Sequence, residues 1–234
     1  SVDHDANLAA LQAAVDTGIG HFVLLSAICV QKPKLAFQHA KLAFEAALKA
    51  APITHSIVRP TAFFKSLSGQ VARVKAGKPF LLFGDGQLTS CKPISDEDLG
   101  DFMVRCLAVS ECHNAILPIG GPEPAITPLQ QGNYLFNVMG TAPKFRRLPI
   151  ALMDTIIFGL TVAGHVSKRS AHKAALARIG RYYATEAMLV WDEQIQQYDA
   201  VATPSFGKDR LFDHYDALLA GRATVNLGEH KLLS

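Results

Sequence analysis

The chain has 234 residues, 49% of them hydrophobic, enough to bury a sizeable core in one or two domains. Charged residues make up 18%, below the globular average of about 25%, and the net charge is only +3. No Lys/Arg run is dense enough for a nucleic-acid track, so that partner class is set aside. The low charge instead points to a large buried fraction or to a surface that meets a membrane or an apolar ligand.

The chain opens without a signal peptide, an organelle-type leader or an initiator Met, and runs almost directly into a helical stretch, Asn7 to Val15. A start in mid-helix reads as a fragment. Gly18 is placed to end that helix. His21 to Ser26 is a nearly continuous apolar run of strand length, the pattern of a strand buried on both faces of a parallel sheet. A strong helix is predicted over Leu35 to Ala50. A second strand, Thr54 to Arg59, stops at Pro60. Strand, helix and strand with short connections make a βαβ unit, so the fold class is α/β with a parallel sheet.

Beyond Pro60 the alternation loosens. Phe64 to Ala76 looks helical, and Phe80 to Phe83 is strand-like before the turn Gly84-Asp85-Gly86. Ser95-Asp96-Glu97-Asp98 is a capping-box type start for a helix through Val104, and Ile116 to Ile119 is a short strand. Thr127-Pro128-Leu129-Gln130 is a second capping box with Pro at the first helical position. From there the chain is expected to be mainly helical, with turns at Thr203-Pro204 and Ser205 to Gly207. The four cysteines (Cys29, Cys91, Cys106, Cys112) form no CxxC pair and offer no iron–sulfur spacing, and they read as buried or incidental thiols.

Leu148 to Val166 is apolar apart from Asp154 and His165, and it is flanked by Lys144, Arg146, Arg147, Lys168, Arg169 and Lys173. A spanning helix needs about 20 apolar residues. This run is shorter, opens with Pro149 and holds an acid, so a buried helix or one lying at an interface is expected, with peripheral membrane association as a partner reading.

The chemistry-bearing residues begin at Ser26, at the end of the first strand, where open α/β sheets bind ligands. Phe37 and Lys41 follow at i and i+4 on one face of the next helix. In short-chain dehydrogenases, a serine after this strand is followed by Tyr-x-x-x-Lys; the tyrosine works as acid or base and the lysine holds the cofactor ribose. This chain resembles that arrangement, with Phe37 in the tyrosine position, where it has no proton to give. Taken alone, Lys41 would be a solvated helix residue. The Ser26 spacing and the strand that follows raise a cofactor role beside that one. Ile57 to Phe64, a strand ending in Arg-Pro-Thr before aromatics, is similar to the segment that lies beside the nicotinamide in atypical members of that superfamily. Its plainer reading is a strand stopped by Pro60, with Phe63 and Phe64 in the core.

A closer resemblance covers nearly the whole chain in order. His21 to Pro33, Arg59 to Leu67, Cys91 to Ser95 and Tyr182 to Asp192 resemble the corresponding segments of NADPH-dependent divinyl chlorophyllide 8-vinyl reductases, an NmrA-like group of atypical short-chain reductases. Thr203-Pro204 with Asp213-His214-Tyr215 is a weaker fifth match. The family also tends to have Phe-x-x-x-Lys.

This resemblance implies a Rossmann-type sheet, NADPH as cofactor, a magnesium tetrapyrrole as substrate, and reduction of its 8-vinyl group to ethyl in chlorophyll biosynthesis. It implies cofactor contacts from Ser26, Ala27, Lys41, Pro60, Thr61 and Phe63. Catalytic roles fall to Lys41 and Ser26, with Lys41, Ser26 or water as proton source. Phe64, Met188 and Trp191 are candidates to face the macrocycle, and each of them is also an ordinary core residue type. The compartment would be the chloroplast, or the cytoplasm of a photosynthetic bacterium. The expected domains are residues 1–63, with return elements near 96–120, as the remaining part of the dinucleotide-binding domain, and 64–95 with 121–234 as a mainly helical substrate region. The family's Gly-rich phosphate-binding turn, which places backbone amides and a helix N-terminus on the pyrophosphate, has no counterpart in these residues. Gly18-Ile19-Gly20 precedes a strand and cannot do that work. On this reading an N-terminal half-sheet of about 100 residues is missing, at roughly 30 or more per βαβ unit, and the chain lacks most of a cofactor site. Two other classes stay open: another atypical reductase, quinone-linked or isoflavone-reductase-like, and a non-catalytic dinucleotide-sensing regulator of the NmrA type.

Overall fold

The computed structural model describes residues 2–224, with side chains from residue 5. In chain order the main elements are α1 (Val2–Asp16), β1 (His21–Leu25), α2 (Ala36–Ala50), β2 (Thr54–Pro60), α3 (Phe64–Leu67), α4 (Val71–Lys75), β3 (Phe80–Phe83), α5 (Asp96–Ala108), β4 (Ala115–Ile119), α6 (Pro128–Val138), β5 (Phe145–Leu148), α7 (Ile150–Gly164), α8 (Lys168–Thr185), β6 (Val190–Asp192), β7 (Gln197–Asp199) and α9 (Leu211–Leu219). The described residues group into two units: residues 2–61, 94–123 and 189–209, and residues 62–93, 124–188 and 210–224. The span 189–209, expected in the substrate region, therefore belongs with the strands of the first unit.

The first unit is built on a parallel sheet of order β1-β2-β4, the α/β class expected from the βαβ run. His21 to Leu25 pair with Thr54 to Val58, and Ser56 to Pro60 pair with Ala115 to Ile119. Leu11, Phe44, Leu48, Ile53 and Ile57 form a buried cluster, with Leu8, Phe22 and Leu24 packed against it. The apolar positions of α1 and α2 thus meet one face of the sheet. β1 departs from expectation. It is half-buried along its length, and Leu25 is exposed. Among the described residues it has a strand neighbour, β2, on one edge alone.

Ser95 caps α5 as anticipated, its hydroxyl accepting from Asp98 N at 3.0 Å. The reciprocal half of the box is not made. Asp98 turns instead to the returning chain and accepts from Lys208 N at 3.0 Å and Asp209 N at 2.8 Å. Gly207, at φ +94°, is required beside it, because a Cβ there would sit 2.1 Å from Asp98 Cγ.

In the second unit β3 pairs in parallel with β5, and the α6 capping box is complete: Thr127 N donates to Gln130 Oε1 at 2.8 Å, and Thr127 Oγ1 accepts from Gln130 N at 3.3 Å. The helix expected over Phe64 to Ala76 is broken at Ser68–Gln70. Ser68 donates back to Phe64 O, while the Gln70 amide pairs with both Leu81 N and Leu81 O, a side chain imitating a strand neighbour. Tyr215 is fully buried and donates to Leu67 O at 2.8 Å. α7 and α8 form a helical hairpin in which Gly164 lies against Ala171 and Arg178 donates to Thr161 Oγ1 at 2.7 Å. The mainly helical stretch expected after Thr127 also contains β5, β6 and β7.

Candidate functional site

Three parallel strands end on one edge of the sheet. Ser26 follows β1 and is held in line by its N–H to Val58 O at 2.7 Å. Thr61 follows β2, with its N–H on Ile119 O at 2.9 Å. Gly120 follows β4, its N–H on Pro204 O and its carbonyl accepting from Phe206 N, both at 2.9 Å. Such an edge is where open α/β sheets take their ligands.

Ser26 and Lys41 line one small cleft there, with Leu24, Leu25, Ala40 and Phe44 as apolar walls and Asn7 of α1 contributing a polar one. Lys41 is half-buried and makes no hydrogen bond or ion pair among the described residues. Phe37, one turn earlier on α2, is also half-buried and adds only apolar surface. A half-buried cation with free donors beside a serine oxygen suits a ligand rich in hydroxyl groups.

The Ser26 hydroxyl is itself committed. It donates to Glu45 Oε1 at 2.5 Å, and Glu45 is 1% exposed. The Arg59 guanidinium grips the same carboxylate, Nε to Oε1 at 3.1 Å and Nη2 to Oε2 as an ion pair. This fork–fork geometry keeps a buried carboxylate paired. Ser26 therefore presents lone pairs, not a proton, to the cleft. Sequence reasoning passed over Glu45. The available signal was its place at i+8 from Phe37 and i+4 from Lys41, an acid on the same face of α2 as the two site residues.

Pro60 and Thr61 are buried at the end of β2, and Ala27 is half-buried after Ser26. These residues, with Ser26 and Lys41, fall in the first unit, whereas Phe63, Phe64 and Met188 fall in the second. Phe64 is buried, with its ring 5.5 Å from that of His214, and Met188 is buried, its N–H on Ser90 O at 2.9 Å. Trp191 belongs to the first unit, on the β6–β7 hairpin. Its ring is covered by Lys32 Nζ at 3.7 Å from the centroid and by the edge of Tyr198. Gln31 ties this hairpin to the segment after β1: its Nε2 donates to Leu189 O at 2.5 Å and its Oε1 accepts from Trp191 N at 2.9 Å.

At the opposite ends of the strands His21, His55 and His113 come together. His21 Nε2 lies 2.9 Å from Ser56 Oγ, and its ring meets that of His113 edge-on at 4.6 Å. Burial, then His113 and His55, hold His21 below its ordinary value. No group of three or more His, Cys, Asp or Glu side chains among the described residues is arranged to hold a metal. All four cysteines are buried and none is in a disulfide, and burial pushes the thiols of Cys91 and Cys106 up to about 12, so those two are protonated and unreactive at neutral pH.

No protein-family profile matches the chain. Among curated proteins it is 48% identical over 99% of its length to the chloroplastic divinyl chlorophyllide a 8-vinyl-reductase of Cucumis sativus. It is 49% identical over 99% of its length to the reductase of Oryza sativa subsp. indica, and 48% over 97% to that of Arabidopsis thaliana. By sequence, the chain is similar to the divinyl chlorophyllide a 8-vinyl-reductases. It spans 57% of the cucumber reductase and 58% of the rice one. The fold is Rossmann-like in solved structures as well. An NADPH-dependent quinone oxidoreductase of Escherichia coli, complexed with NADPH, superposes with a TM-score of 0.63 at 13% identity, covering 89% of this chain and 69% of that one. A UDP-glucuronic acid 4-epimerase of Bacillus cereus, in complex with NAD, gives 0.53 at 19% identity, over 63% of this chain and 56% of that one.

Proposed function

We propose that this chain carries the lysine-bearing helix and substrate region of a chloroplast reductase that uses NADPH to convert the 8-vinyl group of a divinyl chlorophyllide or protochlorophyllide to ethyl. The observation that carries this reading is the 48% identity to the cucumber reductase over 99% of the chain, which includes the whole Ser26–Lys41 cleft. The substrate class, a magnesium tetrapyrrole, comes from the names of those relatives.

The cleft's residues fit a nicotinamide dinucleotide, which when bound supplies the hydride. Lys41 offers its free donors to ribose hydroxyls and so fixes the orientation of the cofactor. Ser26, its own proton committed to Glu45, accepts from a donor group on that cofactor. Phe37 excludes water and lends no proton. A carbon–carbon double bond can be reduced without the tyrosine acid of alcohol-forming relatives, because no alkoxide forms and the macrocycle spreads the developing charge. Lys41 and solvent remain the groups with a proton to give to the vinyl carbon. The deciding experiment incubates the full-length gene product with NADPH and divinyl chlorophyllide and follows the monovinyl product by chromatography. Product formation dependent on NADPH supports the reading. NADPH binding with no pigment conversion assigns the protein instead to a regulator or to a reductase of another substrate.

A further inference from the structure

We propose that α7, with the basic residues at its two ends, is a peripheral docking surface for a lipid bilayer that carries anionic headgroups. This goes beyond the reductase reading and does not depend on it. No residue of α7 is buried. Leu152, Ile156, Gly159 and Val162 recur at the i, i+3, i+4 spacing of one helix face, with Phe158 beside them at 71% exposure and Val166 just beyond at 92%. The other side of the helix is the one used by α8, through Gly164 against Ala171 and Thr161 under Arg178. A stripe of large apolar side chains facing water marks an interaction surface.

Charge decides what covers it. From Lys144 to Arg181 there are eight Lys or Arg and a single acid, Asp154, in a chain whose net charge is only +3. Asp154 is taken by Arg181, and Arg178 is occupied with Thr161. Lys144, Arg146, Arg147, Lys168, Arg169 and Lys173 are exposed and have no side-chain partner among the described residues. Three of these precede α7 and three follow it. A 15-residue helix is about 22 Å long at 1.5 Å per residue, and no helix among the described residues is long and apolar enough to cross a membrane. Cations at both ends of an apolar, non-spanning face are what a helix lying flat among headgroups needs, with its apolar side at the acyl boundary and its bases at the lipid charges. A second copy of the chain docked on the same face would bring two cation-rich ends into opposition. A nucleic acid would engage the bases and leave the apolar stripe in water.

The test is flotation of the intact chain with vesicles of phosphatidylcholine alone and of phosphatidylcholine mixed with phosphatidylglycerol, at low and high salt. The expected result is binding to the mixed vesicles at low salt, about tenfold or more weaker on the neutral ones and weakened by salt. Arg146→Gln with Arg147→Gln should weaken it by about fivefold per charge removed. Ile156→Asp with Phe158→Asp should abolish it. Both pairs sit on the surface, so circular dichroism and light scattering can confirm that each variant keeps the fold. No binding to mixed vesicles at low salt overturns the proposal, as does equal binding by the aspartate variant. A dimer that the aspartate variant dissociates would assign the face to a second copy and overturn it too.

Discussion

The Ser26 hydroxyl donates to Glu45 Oε1 at 2.5 Å, joining the end of β1 to the buried side of α2. Because Arg59 grips the same carboxylate, removing Glu45 strands a guanidinium that is largely buried. Glu45→Ala should lower unfolding free energy by about 3–5 kcal/mol. Ser26→Ala, which removes one hydrogen bond, should cost about 1–3 kcal/mol. Urea unfolding followed by circular dichroism separates the two, and equal losses would mean that the ion pair is not what holds this corner.

In the full-length protein, Lys41→Ala should reduce vinyl reduction by roughly 10- to 150-fold, the value of one charge-assisted hydrogen bond of about 1.5–3 kcal/mol. Phe37→Tyr should stay within a few-fold of the parent, since the hydroxyl adds bulk and no required proton. Full activity in Lys41→Ala would remove the lysine from the cofactor site.

Trp191 is the single tryptophan, so its emission reports on the β6–β7 hairpin. Gln31→Leu takes away the partners of Leu189 O and Trp191 N together. The expected outcome is a red-shifted emission and a loss of about 1–3 kcal/mol per backbone group left unsatisfied. An unshifted spectrum would show the hairpin held without Gln31, by Lys32, Thr203 and packing.

His21 supplies a pH dependence of folding. Its folded value lies below the ordinary 6.5, first through burial and then through His113 and His55. Between the two values the unfolded chain binds the proton more often, so stability rises with pH there. The contribution is complete above the unfolded value of about 6.5 and is lost as pH falls through the folded value. The urea midpoint should therefore drop on acidification from neutral pH, and His21→Gln should flatten that drop. An unchanged slope would move the effect to another group.

The sequence made the first unit readable where periodicity and punctuation agreed. The Gly18 stop, the apolar run of β1 and the Arg59-Pro60 end of β2 are local signals, and the structure follows them in where the elements lie, though β1 is not buried on both faces. β5 was not legible, because Phe145-Arg146-Arg147-Leu148 has neither alternation nor β-branched residues and becomes a strand by pairing with β3. Gln70 gives no local sign that it will leave its helix for Leu81. In the cleft, Ser26 and Lys41 are suggested by the resemblance to the short-chain dehydrogenase pattern, since spacing alone leaves Lys41 an ordinary helix residue. Glu45, one turn past a lysine, looks like half of a solvated i,i+4 pair, and its partner Arg59 lies on another element.

β1, β2 and β4 all run in the same direction, so their first and last residues lie on opposite rims of the sheet. His21, His55 and His113 hold one rim, and Ser26, Thr61 and the Lys41 cleft hold the other. Five strand residues separate the rims by about 16 Å, about two Debye lengths at physiological ionic strength. Charging His21 is then felt only weakly at Lys41. A mildly acidic buffer should therefore lower the stability of the folded protein without acting on the cleft, so pH profiles of unfolding and of NADPH binding should be measured separately.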